Sequence, residues 1–277
     1  MHRLRYGILS ALAVVSLAST LVAGCVGDAP TQPQPQPDGG VDGSNIADAS
    51  DASGDTTSAD TSISTWCTNR PEKFCWDFDK GLFDDGWGRQ EVNGTVTLNT
   101  QASSSAPNSA AFSLIASPTA AKAQLFRFFP GATSTTTLAA DLKPVRSLDG
   151  GTDAGGDAGV LPFPNLIQTY VGSNFVLLAS SETSYSIAIS AAPFFTSFGS
   201  GLPSNKFTRV SLKVVWSQQA TGGVEVLIDG NLVFSKANII TLGATTDTKS
   251  EAVVGIGDQK APVPAQRYIA DNITFDY

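Results

Sequence analysis

Histidine and methionine are almost absent: the 277 residues contain one of each, His2 and Met1, both at the very start. A chain that loses its leader therefore has no imidazole to act as general base, triad partner or metal ligand. That excludes most hydrolase chemistry and most zinc or iron chemistry. Positive charge is also scarce, with 17 Lys and Arg against 25 Asp and Glu and a formal net charge of −8. Seven of the acids (Asp28, Asp38, Asp42, Asp48, Asp51, Asp55 and Asp60) precede Arg70, the first cation beyond the leader. The remainder of the chain is nearly balanced, with 15 cations against 18 acids, and gives no electrostatic case for nucleic acid or an anionic surface as partner. Cysteine is limited to Cys25, Cys67 and Cys75. The one long apolar run, 8–23, is shorter than the roughly 20 residues that span a bilayer.

That run has the order of an export signal. Arg3 and Arg5 precede it, and Leu21-Val22-Ala23-Gly24-Cys25 ends it with small residues and a cysteine. The ending resembles the lipobox of bacterial lipoproteins. The resemblance implies a signal peptide over 1–24, cleavage before Cys25 and lipidation of Cys25, with the membrane as partner through acyl chains that hold firmly in combination. Loss of Arg3 and Arg5 takes the formal charge from −8 to −10. The expected location is extracytoplasmic. Val26 is not the aspartate that retains such proteins at the inner membrane, so the outer membrane or cell surface is expected.

Residues 25–64 read as a disordered tether. A Pro-Gln run over 31–37 favours extended polyproline geometry, and repeated Asp-Ala-Ser triplets favour a self-repelling coil. From 65 to 277 short apolar alternations are punctuated by Gly, Pro, Asn and Ser, and no window has a helical period. Strands are predicted over 73–78, 95–99, 110–116, 123–129, 135–142, 166–171, 175–180, 185–190, 207–216, 224–228, 232–235, 252–256 and 268–275. Many short, evenly spaced strands indicate an all-β antiparallel two-sheet sandwich. A hairpin is expected across Asp229-Gly230-Asn231, with Gly and Asn supplying the positive φ of its turn. The segment 149–160 interrupts the series. Its acids Asp149, Asp153 and Asp157 are four apart and fit no calcium-loop template, so it reads as a flexible Gly/Asp insertion.

Three motifs, Phe74-Cys-Trp-Asp-Phe-Asp79 with Trp87, Phe207-Thr-Arg-Val-Ser-Leu212 before Ile228-Asp-Gly-Asn231, and Arg267-Tyr-Ile-Ala-Asp-Asn-Ile-Thr-Phe275, resemble the concanavalin A-like jelly rolls, nearest the laminin-G-like members. The resemblance implies that the first and last strands lie side by side. It also implies a structural calcium where those strands meet, with Asp77, Asp79 and Asp271 as candidate ligands. The glycoside hydrolases of that superfamily carry a Glu-x-Asp-x-x-Glu strand, which this chain lacks. Glu225 and Asp229 share a spacing but lie roughly 13 Å apart along a strand, too far for a carboxylate pair that works at about 5 Å. Cys67 and Cys75 are expected to form a disulfide in an oxidising compartment. Aromatics offer a stacking surface for sugar, with Trp87, between two glycines, the most open, and with Phe126 to Phe129 and the pair Phe194 and Phe195 as further candidates. On these grounds the chain is expected to be no enzyme. It reads as a lipid-anchored envelope protein with a non-catalytic carbohydrate-binding domain, or alternatively a structural or protein-interaction module of the envelope, with polysaccharide or an envelope protein as partner and calcium as the one cofactor considered.

Overall fold

A computed structural model describes residues 66–81, 86–131, 133–145, 165–181, 183–192, 194–246 and 249–277, all within the unit Thr57–Tyr277. Cys25, the 25–64 tether and the 149–160 insertion lie outside the described residues.

Among the described residues every regular element is a strand. In chain order they are β1 (Phe74–Trp76), β2 (Gly88–Val92), β3 (Gly94–Asn99), β4 (Ser109–Leu114), β5 (Ala121–Phe129), β6 (Thr135–Pro144), β7 (Asn165–Val171) and β8 (Asn174–Ser180). The later strands are β9 (Tyr185–Ile189), β10 (Phe194–Phe198), β11 (Thr208–Val215), β12 (Gly222–Ile228), β13 (Asn231–Ile239), β14 (Ser250–Gln259) and β15 (Gln266–Asp276). Sheet one runs β13-β12-β11-β6-β15-β4-β3, and β1 also pairs with β15; sheet two runs β10-β9-β8-β7-β14-β5-β2. All pairings are antiparallel, so the chain is the two-sheet jelly roll expected from its alternations.

The period of two explains which face each strand buries. On β11, Val210, Leu212 and Val214 are fully buried while Arg209, Ser211 and Lys213 face outward. On sheet two, Ala123 and Leu125 of β5, Val254 and Ile256 of β14 and Val176 and Leu178 of β8 enter the same core. Between the sheets, the Trp216 indole donates to Thr136 Oγ1 at 2.9 Å, and Thr169 of β7 donates to the same oxygen at 3.2 Å. These bonds give buried polar groups the partners they need and tie β6 to β7 across the core. The first and last strands do lie together: Phe74 pairs with Phe275 and Trp76 with Ile273. Cys67 and Cys75 form a disulfide, which fastens the entry segment to β1.

Two elements differ from the sequence reading. β2 and β10 are additional to the expected strands, and each is an edge strand of sheet two with a single neighbour. On β2 the four residues from Arg89 to Val92 are exposed, so there is no apolar alternation to detect. The β12–β13 hairpin forms, but its turn is Asp229-Gly230, with φ of 49° and 80°, and Asn231 already pairs with Ile228. The aspartate, not the asparagine, takes the left-handed position.

Candidate active face on sheet two

Sheet two has an outer face that the core does not use. The register fixes which side chains share it. Phe126 of β5 is opposite Val253 of β14, which is opposite Gln168 of β7; one step along, Phe128, Glu251 and Tyr170 form a second row. On the other side, Gln90 of β2, Gln124 of β5 and Gly255 of β14 form a third, with Lys122 beyond. Because side chains two residues apart point the same way, Lys122, Gln124, Phe126, Gln168, Tyr170 and Glu251 all stand on this face.

The central strand β14 leaves the middle of the face low. Gly255 has φ of 125°, and a Cβ there would lie 2.5 Å from Phe112 in the core and 2.6 Å from the carbonyl of Ala123. Only glycine fits, because a side chain there would run into the core. A Cβ on Gly257 would meet Gln168 Nε2 at 2.7 Å, so the missing side chain lets that amide lean over β14. On β14, between β5 and β7, Gly257 thus leaves space that the Gln168 amide takes.

The groups are organised among themselves. Gln124 Nε2 donates to Gln90 Oε1 at 3.0 Å, and Lys122 Nζ donates to the same oxygen at 3.2 Å while pairing with Asp258 at 2.7 Å. Tyr170 Oη donates to Gln168 Oε1 at 2.8 Å. Gln124 and Gln168 are only 9% and 6% exposed although neither belongs to the core, so their amides are held rather than free in water. Burial, with the carboxylates of Glu251 and Asp258 adding to it, pushes the Tyr170 phenol up to about 12. Burial also lifts the Glu251 carboxyl to about 6. Two groups in the same row are thus set apart as a neutral proton donor and a carboxylate of raised basicity. Phe126 and Phe128 stand edge to face at 5.6 Å, and Phe175 lies 5.7 Å from Tyr170, giving apolar contact surface beside the polar centre.

Elsewhere the sequence-derived candidates take other roles. Trp87 is not open: it is 5% exposed and stands edge-on to Phe74 at 5.8 Å, which corrects its assignment as the stacking platform. Of its flanking glycines, Gly88 is overlain by the Phe126 ring and Gly86 faces open space. Phe129 and Arg127 of the same aromatic run point inward, Arg127 lying 4.4 Å over Phe74. Phe195, on β10, is 64% exposed. Glu225 pairs with Lys213 at 3.0 Å, and Asp229 Oδ1 accepts the Arg209 backbone N–H at 2.8 Å, so neither joins a catalytic carboxylate pair.

Asp271 is fully buried on sheet one. Its Oδ2 accepts the backbone N–H groups of Ser104 and Ser105 at 2.8 and 2.9 Å, and Oδ1 accepts that of Asn272 at 2.8 Å. Asp141 beside it accepts from Ser104 Oγ and Asn272 Nδ2, both at 2.7 Å, and pairs with Arg209 at 3.2 Å. Asp77 Oδ1 accepts the Asp79 N–H at 3.4 Å. Among the described residues no three His, Cys, Asp or Glu side chains gather as a metal site. A calcium ion needs oxygen ligands, and Asp271 is surrounded by N–H donors, so the donor set does not fit the ion that the resemblance implied.

No family model matches the sequence, and no curated protein matches it. Solved structures are similar to it. The endo-beta-1,4-glucuronan lyase from the fungus Trichoderma reesei superposes with a TM-score of 0.55 at 10% identity, over 74% of this chain and 95% of that one. The cellulose-induced protein Cip1 gives 0.54 at 12% identity, over 73% and 96%. An alginate lyase, Aly36B, gives 0.47 at 9% identity, over 61% and 80%. At such identities the likeness is one of fold, and it bears out the jelly roll. It also corrects the expectation that this chain is no enzyme and serves as a non-catalytic carbohydrate-binding module, or alternatively a structural or protein-interaction module. That exclusion rested on the scarcity of histidine and on the lack of a glycosidase carboxylate pair, which are criteria for particular classes of hydrolase. The glucuronan lyase shares this architecture.

The residues of this outer face escape a reading of the sequence that nonetheless finds their strands. Gln168-Thr-Tyr170 and Lys122-Ala-Gln124 place polar groups at every second position of strands whose alternate residues are buried. That pattern is the available signal. It reads as a solvated face because the sequence does not show that three such strands are neighbours.

Proposed function

We propose that this chain is a carbohydrate-active enzyme that cleaves a uronate-containing polysaccharide by elimination on the outer face of sheet two. The observation that carries the reading is the placement of Lys122, Gln124, Gln168, Tyr170 and Glu251 on one face outside the core. The fold likeness to a glucuronan lyase supports it. Elimination removes the C5 proton beside the uronate carboxylate, forms the C4–C5 double bond and expels the glycosidic oxygen, which takes a proton. The chemistry sets three tasks. The carboxylate charge must be absorbed, which suits the Gln168 amide, one row along the sheet from Glu251 and Tyr170. A base must take the C5 proton, and Glu251, ionised above pH about 6, is placed for it. An acid must protonate the leaving oxygen, and the phenol of Tyr170, neutral up to about 12, supplies that proton. No histidine is required.

On the same reading the enzyme works outside the cytoplasm, held by a lipid on Cys25 and spaced from the membrane by the 25–64 tether. The Cys67–Cys75 disulfide supports an oxidising compartment. Mass spectrometry of the N-terminal peptide, before and after Cys25→Ala, tests the anchor.

The test of activity is incubation of the purified protein with glucuronan, alginate and polygalacturonate while following the ultraviolet absorbance of the unsaturated product. Tyr170→Phe is expected to lower kcat by about 10²-fold or more with the fold intact. Saturated products, or no product from any polyuronate by folded protein, refute the proposal.

A further inference from the structure

A cleft of about 510 Å³ lies at one end of the sandwich, away from the proposed active face. Tyr185 opens β9 and points to the core side, Thr208 opens β11, Ile228 closes β12, and the loop 199–204 joins β10 to β11. Strand ends of both sheets therefore line it, together with Asp229 and Val233. Its volume falls in the range of small-molecule sites, from about 300 to about 1,000 Å³.

One group in it lacks a partner. Thr208 is 2% exposed, and its buried hydroxyl makes no hydrogen bond among the described residues. Buried polar groups are normally paired, and an orphan hydroxyl in the wall of a cleft has a natural partner in a ligand. Asp229 is fixed by the Arg209 N–H on Oδ1 at 2.8 Å and keeps acceptor capacity beyond that bond. Tyr185 lies among the lining side chains, and burial with the Asp229 carboxylate raises its phenol to about 12, so it remains a neutral donor. Ile228 and Val233 offer apolar contact. No Lys, Arg or His lines the cleft among the described residues, and its one charge is negative.

We propose that this cleft binds a small, neutral, hydroxyl-rich molecule of monosaccharide size, as a site separate from the polyuronate face. Hydroxyls meet Thr208, Tyr185 and Asp229, the apolar wall takes a C–H face, and the carboxylate of Asp229 discriminates against anionic sugars. The lining thus differs from the proposed active face, where the Gln168 amide suits a carboxylate.

Ligand-observed NMR and calorimetry on the full chain, with glucose, galactose and mannose as probes and glucuronate as the anionic control, test it. A neutral probe is expected to bind. Thr208→Val is expected to weaken that binding about three- to tenfold, to raise thermal stability by removing the orphan hydroxyl, and to leave polyuronate turnover unchanged. Val233→Trp, on an exposed edge strand, is expected to fold and to abolish binding by filling the cleft. The proposal is overturned if none of the neutral probes binds, if Thr208→Val and Val233→Trp leave binding intact, or if binding is lost in Tyr170→Phe instead. Loss of turnover in Tyr170→Phe with the cleft still binding its probe separates this site from the active face.

Discussion

Asp271 makes stability fall as pH rises. The carboxyl is fully buried, and burial raises it from an ordinary 3.8 to about 7 against the pull of the Ser105, Asn272 and Ser104 amides. A raised acid binds its proton more tightly in the folded state than in the unfolded one. Between about pH 4 and about pH 7 the folded chain holds more protons, so stability is greatest at the low end and is lost as pH climbs through the folded value. A span of about three pH units at about 1.4 kcal/mol each gives about 4 kcal/mol as the upper limit of the loss. With a urea slope of about 2 kcal/mol per M, the midpoint moves down by about 2 M across that window. Asp271→Asn removes the titration while retaining an acceptor for Ser104 and Ser105. Its side-chain NH₂ faces the Asn272 N–H, a penalty that does not change with pH. Urea unfolding of both proteins at several pH values therefore shows a sloping wild-type curve and a flatter variant curve. Parallel curves refute the assignment, because the slope then belongs to groups other than Asp271.

Other residues carry outcomes of their own. Glu251→Gln removes the rise in polyuronate cleavage through pH about 6 and lowers kcat by about 10²-fold or more, read from pH–rate profiles. Gly255→Ala places a methyl group 2.5 Å from Phe112 in a left-handed backbone and is expected to destabilise the chain by about 2–3 kcal/mol or more, measured by urea unfolding. Replacing both Cys67 and Cys75 by Ser opens a loop of sequence separation 8 and is expected to lose about 2–3 kcal/mol, with no change in polyuronate cleavage.

The fold is readable because its signal is local. Alternation such as Val210, Leu212 and Val214 against Arg209, Ser211 and Lys213 needs no knowledge of neighbours, since burying one face of any strand imposes it. β2 escapes because it has little to bury, as the polar Gly88–Val92 shows. The scarcity of histidine is equally plain from composition, with His2 the one imidazole in the chain.

Sequence alone therefore determined the all-β architecture and the pairing of Cys67 with Cys75. Tertiary structure decided the rest. Trp87 looks open between its glycines and is buried, because Phe74 packs edge-on against its indole. Gln124, Gln168, Tyr170 and Glu251 look like unrelated outward residues until β14 lies between β5 and β7. Periodicity tells which face a side chain takes, but strand order across a sheet depends on contacts between segments far apart in the chain, as between β5 and β14.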